Sequence, residues 1–209
     1  AMRLPLRWCR QPARGLDGLF LGFYGRAIEM DYLRTVLDEL NLTGMKMSQR
    51  TLESLADAIL DAGRVFVSGA GRSGLMVRAF ANRLMHLGLS VGIVGDVSCP
   101  HSTPGDLLVI GSGSGSAESL RALAQKAKDA RMKVALVTAT PRSLIAQMAD
   151  IVVTIPAASK DRSEVVSAQP MASLFEQMCL ITYDALVLAL MDRTGETSAS
   201  MFARHADLE

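Results

Sequence analysis

From about Asp31 the apolar residues return at every third or fourth position. Leu33, Val36, Leu37 and Leu40 share one face and predict a helix that Gly44 ends. A second helix is predicted from about Ser48, with Leu52, Leu55, Ala56, Ile59 and Leu60 on its apolar face. The pattern then changes to short, continuous apolar runs separated by helical stretches. Strands are predicted at 65–68, 91–94, 107–110, 134–137 and 151–155. Helices are predicted at 74–87, at 117–130, in a short piece from about Ser143, and at 170–193. Loops fall at 96–105 and 156–167.

The predicted strands are rich in valine and isoleucine and carry no polar alternation, which is the pattern of parallel strands covered on both faces. Strands alternating with helices imply right-handed crossovers. The expected fold class is therefore α/β: a three-layer α/β/α sandwich around a parallel sheet of about five strands. Ligands of such sheets bind outside the carboxyl ends of the strands, at a topological switch point.

Composition narrows the function. The chain has 209 residues, 49% of them hydrophobic and 21% charged, enough for one domain with a full core. Net charge is +1 and aromatics are only 5%, which argues against a nucleic-acid platform. Three scattered cysteines (Cys9, Cys99, Cys179) suggest neither a disulfide framework nor a metal knuckle, and fit a reducing cytoplasm. The histidines His86, His101 and His205 are not at ligand spacing, so no metal is expected. No membrane span is expected, because the longest apolar stretch, 170–191, carries Glu176, Gln177 and Asp184. Residues 1–29, arginine-rich with scattered Pro and Gly, read as a poorly ordered N-terminal extension, with Met30 a candidate start. Residues 30–209 read as a single domain.

Two loops carry the candidate chemistry. Gly111 to Ser116 reads G-S-G-S-G-S between a buried strand and a helix, and Gly69 to Gly74 reads G-A-G-R-S-G in the same setting. Glycines let a ligand approach the backbone, serines add hydroxyl donors, and the helix that follows presents free N–H groups. Each loop suits a phosphate, and Arg72 offers it a fixed cation. Tight turns alone would explain one such loop more easily than two. Glu176 stands in the second turn of a helix that is otherwise apolar almost all round, where a carboxylate needs a partner or a purpose. It is a candidate general base, its bland alternative being an acid favoured by the helix dipole. His86 reads as a packed helix histidine and His205, taken alone, as a tail residue. Cys99 and Cys179 have no neighbouring base, so no thiol nucleophile is indicated.

G-A-G-R-S-G at 69–74, G-S-G-S-G at 111–115, Q-P-M-A-S-L-F-E-Q at 169–177 and R-H-A-D-L-E at 204–209 together resemble the sugar isomerase (SIS) domain family, in its 6-phospho-3-hexuloisomerase branch. The resemblance runs from about residue 31 to the end. It implies a cytoplasmic isomerase of the ribulose monophosphate pathway, used in formaldehyde assimilation. The enzyme would interconvert D-arabino-hex-3-ulose 6-phosphate and fructose 6-phosphate without a cofactor, as a homodimer or homotetramer. The resemblance implies Glu176 as the enolising base and His205 as a second catalytic group, entering from the same or a neighbouring subunit. It implies substrate binding by Gly71, Arg72, Ser73, Ser112, Gly113, Ser114 and Ser116. The second loop departs from the family's usual Glu-Thr continuation. Ser116 and Ala117 stand there, so Ser116, Ser119 or backbone N–H groups would replace the threonine hydroxyl.

Three alternatives stay open on the sequence. One is an isomerase of the same family acting on arabinose 5-phosphate or sedoheptulose 7-phosphate. Another is a phosphosugar-sensing module without catalysis, which would need the serine loops but neither Glu176 nor His205. The third is a nucleotide-binding α/β protein, with Asp96 as its acidic residue at the end of the following strand.

Overall fold

Five of the apolar runs pair side by side into one parallel sheet, in a computed structural model that describes residues 31–158 and 167–208. The strands are β1 (Val65–Gly69), β2 (Val91–Ile93), β3 (Leu107–Gly111), β4 (Lys133–Thr138) and β5 (Ile151–Thr154), in the spatial order β2-β1-β3-β4-β5. The helices are α1 (Tyr32–Gly44), α2 (Gln49–Asp61), α3 (Gly71–His86), α4 (Glu118–Asp129), α5 (Leu144–Met148), α6 (Ser173–Thr194) and α7 (Ser198–Phe202). The expected parallel α/β sandwich is thus present. The expected extension at 1–29 lies outside the described residues, as does most of the 156–167 loop.

Strand side chains alternate between two cores, as a two-residue period requires. Val65, Val67, Leu107, Val109, Ala135 and Val137 face a core shared with α2, α3 and α6. Phe66, Leu108, Ile110, Val134 and Leu136 face a second core under α4 and α5. Both faces are covered, which is why these runs show no polar alternation. Helix α6 is long and apolar enough to cross a membrane by length and composition alone. Here it packs against α1, α2 and α3, and burial of its apolar residues accounts for its hydropathy. Tyr183 of α6 stacks on Phe80 of α3 at 4.6 Å and 12°, which fixes one helix against the other.

The register places the site. Gly69 ends β1 directly opposite Gly111, the end of β3. From β1 the chain crosses to β2 on one side, and from β3 it crosses to β4 on the other. The two glycine–serine segments therefore leave neighbouring strands at the same level and diverge over the switch point.

Two helix starts differ from the pattern-based expectation. Helix α3 begins at Gly71 rather than Gly74, because Gly71 takes a left-handed φ of 56° and lets the helix start immediately after the strand. Gly74 then packs against the end of β1, where an added Cβ would lie 2.7 Å from the Gly69 carbonyl oxygen. Helix α6 begins at Ser173 rather than Pro170. Met171 has a φ of 57°, a conformation no right-handed helix contains. The short helix α7 was not expected. Thr197 caps it in a reciprocal box with Ser200, where the usual partner is Glu or Gln.

Candidate functional site

The two loops and the start of α6 enclose a cavity of about 220 Å³ over the ends of β1 and β3. Gly71, Arg72 and Ser73 enter it from the first turn of α3, and Ser112, Gly113 and Ser114 from the loop after β3. Ala172, Phe175 and Glu176 close it from α6, and Ala117 lines the remaining side. The first turns of α3 and α4 bring unsatisfied N–H groups and positive dipole ends to the same place, the electrostatics an anion requires.

The second loop is shaped from behind. The Gly113 carbonyl accepts three hydrogen bonds, from the Thr138 hydroxyl, the Thr140 hydroxyl and the Ala139 N–H. A carbonyl oxygen that would repel a phosphate is thereby engaged by the end of β4 and the two residues after it, none of which lines the cavity. Ser112 Oγ accepts from the Gly115 N–H at 3.2 Å and Ser114 Oγ accepts from the Ser116 N–H at 3.4 Å. Both hydroxyls keep their own proton to donate. Ser116 and Ser119 are exposed and neither lines the cavity, whereas Ala117 does.

Arg72 is placed otherwise than the sequence suggested. Its guanidinium lies 2.8 Å from Glu176 Oε2 and donates to Ser173 Oγ at 3.0 Å. The loop cation expected beside the phosphate therefore also holds the candidate base. Glu176 is 8% exposed and faces this half-exposed arginine. A buried carboxylate with one charged partner in a cavity is both stable and accessible to a ligand. Ser173, Ala172 and Phe175 were not singled out in the sequence. The helical period around Glu176 could have found Ala172 and Ser173, which lie one turn before it, but not Phe175, its immediate neighbour.

The remaining titratable candidates lie elsewhere. Cys179, one turn past Glu176, is buried; burial and then the Glu176 charge push its thiol up, which keeps it protonated. His86 is buried near the far end of α3, as expected of a packed histidine. His205 stacks on His86 at 5.2 Å, and Arg204 ties the tail by donating to the His86 carbonyl and to Glu196. Fifteen residues of α3, about 22 Å at the helical rise, separate this end from Gly71. One chain therefore does not bring His205 to Glu176.

Gly69, Gly71 and Gly74 have the G-x-G-x-x-G spacing of a dinucleotide loop. Asp96, the acid such a loop would use on a ribose, is instead held by both terminal nitrogens of Arg78, at 3.0 and 3.3 Å. Among the described residues no three His, Cys, Asp or Glu side chains cluster as metal ligands.

Substituting Ser114 or Ser112 by alanine is expected to raise KM more than it lowers kcat, because a phosphate held by these hydroxyls does not change during reaction. Ser112→Ala should cost more, since it also removes the acceptor for the Gly115 N–H. Equal sulfate affinity in both variants and wild type, read by titration calorimetry, would take the serines out of the cradle.

Known proteins resemble this chain over most of its length. The family model described as "SIS domain" matches residues 58–189. The 3-hexulose-6-phosphate isomerase of Bacillus subtilis (strain 168) is 44% identical, over 86% of this chain and 98% of that protein. The protein of the same name from Mycobacterium gastri is 43% identical, over 85% of this chain and 89% of its own length. A solved structure from Methanococcus jannaschii, described as inferring a molecular function of 3-hexulose-6-phosphate isomerase, superposes with a TM-score of 0.74 at 31% identity. It covers 85% of this chain and 98% of that one.

Proposed function

This chain belongs to the SIS domain family, and from that premise we propose that it is a 3-hexulose-6-phosphate isomerase whose site is the cavity over β1 and β3. The observation that carries this reading is the placement of one carboxylate, one guanidinium and three serines in a single cavity of about 220 Å³.

The division of labour follows from the chemistry. Ser73, Ser112, Ser114 and the two helix starts bind the remote phosphate and so align the sugar chain, converting binding energy into orientation. Glu176 takes the proton from C2 of the hexulose phosphate, and the electron pair moves through C2–C3 onto the C3 oxygen. The result is a 2,3-enediolate. Return of a proton to C3, with transfer of the hydroxyl proton from O2 to O3, gives fructose 6-phosphate, and nothing is oxidised or reduced overall. Arg72, beside Glu176, stabilises the developing enediolate charge. No metal or organic cofactor is needed for this sequence of steps. Running the reaction in D₂O tests it. Deuterium at C3 of the product is expected and would exclude a direct hydride shift; a C3 that stays wholly protonated and a Glu176→Gln variant of wild-type rate would together overturn enolisation.

The same reading includes a cytoplasmic place in the ribulose monophosphate pathway and a homo-oligomer. Tyr32, Leu33, Leu37 and Leu42 on α1 are more than half exposed, and Ile181 and Leu188 extend exposed apolar surface along α6. A second copy of the chain would cover such surface, and would bring a His205 to a site that lacks one. Mixing is the test. Glu176→Gln and His205→Ala chains, each inactive alone, should regain part of the activity when refolded together. No recovery in demonstrably mixed oligomers would remove His205 from a neighbour's site.

A further inference from the structure

The entry to helix α6 is held by a residue from the other end of the chain. Glu39 of α1 accepts three hydrogen bonds there: from the Ala168 N–H at 2.6 Å, the Ser167 hydroxyl at 2.8 Å and the Gln169 side-chain amide at 2.9 Å. Burial alone would raise the Glu39 carboxyl, but these bonds, the Ala168 N–H first, together hold it below its ordinary value. The segment it grips leads within two residues to Met171, whose left-handed φ of 57° is strained for a side chain of that size. Such strain persists only where the surroundings over-determine the backbone. Immediately beyond, Ser173 donates its N–H to the Pro170 carbonyl and Glu176 donates its N–H to the Ala172 carbonyl. The orientation of the first turn of α6 therefore depends on the turn that Glu39 fixes.

We propose that Glu39 is a positioning residue, which sets Glu176 against the substrate by clamping the strained turn at 167–171. The inference rests on the reading of Glu176 as the enolising base. It assigns to α1 a role in catalysis that its amphipathic pattern does not announce. The described hydrogen bonds of the Glu39 carboxylate go to residues 167–169 and none goes to either serine loop. Its loss should therefore leave the phosphate cradle intact and displace only the base, and misplacement by about 1 Å can cost about 10²-fold in rate.

Two variants and two readouts test the proposal. Glu39→Ala is expected to lower kcat by about 10- to 100-fold with KM changed less than about threefold. Glu39→Gln, which keeps one carbonyl oxygen for the Ala168 N–H, should recover part of that loss. Should Glu39→Ala fail to fold, Glu39→Gln alone carries the test, with a smaller fall confined to kcat. Independently of any turnover, amide hydrogen exchange in Glu39→Gln should quicken over 168–177 and stay unchanged over 111–117. Wild-type kcat in a folded variant, or a loss seen wholly in KM, would overturn the positioning role. So would unchanged exchange over 168–177. Failure of the underlying reading looks different: wild type would not turn over the hexulose phosphate at all, and the exchange result would still decide whether Glu39 clamps α6.

Discussion

Replacing Glu176 by glutamine is expected to lower turnover by about 10²- to 10⁴-fold, the usual range for loss of a proton-transfer group. Glutamine has the same shape, and its carbonyl oxygen can still accept from Arg72, so the cavity should keep its form. The phosphate is held by other residues, so affinity for fructose 6-phosphate should stay within about tenfold of wild type. The check is a pair of measurements, steady-state turnover and calorimetric affinity, on the same preparation. Near-normal turnover would remove Glu176 from the role of base. A collapse of affinity equal to that of turnover would make it a binding residue instead.

Gly115→Ala is expected to be the most damaging single methyl group in the phosphate cradle. Gly115 has a φ of 59°, and an added Cβ would lie 2.1 Å from Ser143 Oγ and 2.7 Å from Ser143 Cβ. The left-handed conformation costs about 1–2 kcal/mol for a residue with a Cβ. Overpacking adds typically 1–3 kcal/mol. The loop cannot yield freely, because the Gly115 carbonyl accepts from the Ile145 N–H and the Gly115 N–H donates to Ser112 Oγ. We expect a fall of several degrees in Tm together with at least a tenfold loss of phosphate affinity. Ser143→Gly in the same chain should restore part of both: it removes the clash with Ser143, while the φ penalty, the tight contact with Thr138 Oγ1 and the loss of the Ser143 cap on the Ala146 N–H remain. A Gly115→Ala protein with wild-type affinity would show that the loop is not the cradle.

Much of the fold is legible in the chain because the strands are buried on both faces. Leu107–Ile110 and Val134–Val137 could scarcely be anything but core strands, and the structure buries them fully. The two glycine–serine segments were legible as a pair for the same reason: each follows such a run. What the pattern cannot carry is long-range partnership. Arg72 reads as a loop cation, but its anion stands on a helix about a hundred residues later, and only the sheet topology brings the two together. Glu39 shows the same limit, since its partners lie 128 to 130 residues away. The starts of α3 and α6 depart from the apolar periodicity because both depend on a left-handed residue, for which periodicity contains no signal. The tail motif at 204–208 pointed to the site, whereas the chain docks His205 on the far end of α3, through an Arg204–Glu196 pair that local sequence does not announce.

The central claim is that this cavity isomerises a hexulose phosphate. The most direct measurement offers D-arabino-hex-3-ulose 6-phosphate to the purified protein and reads fructose 6-phosphate through a coupled dehydrogenase, with Glu176→Gln as the paired control. Steady formation of fructose 6-phosphate by wild type, lost in the variant, is the predicted result. A folded wild-type protein that binds fructose 6-phosphate in this cavity and yet forms none from the hexulose phosphate would contradict the account, and would make the cavity a sensor of phosphosugars or the site of a different isomerisation.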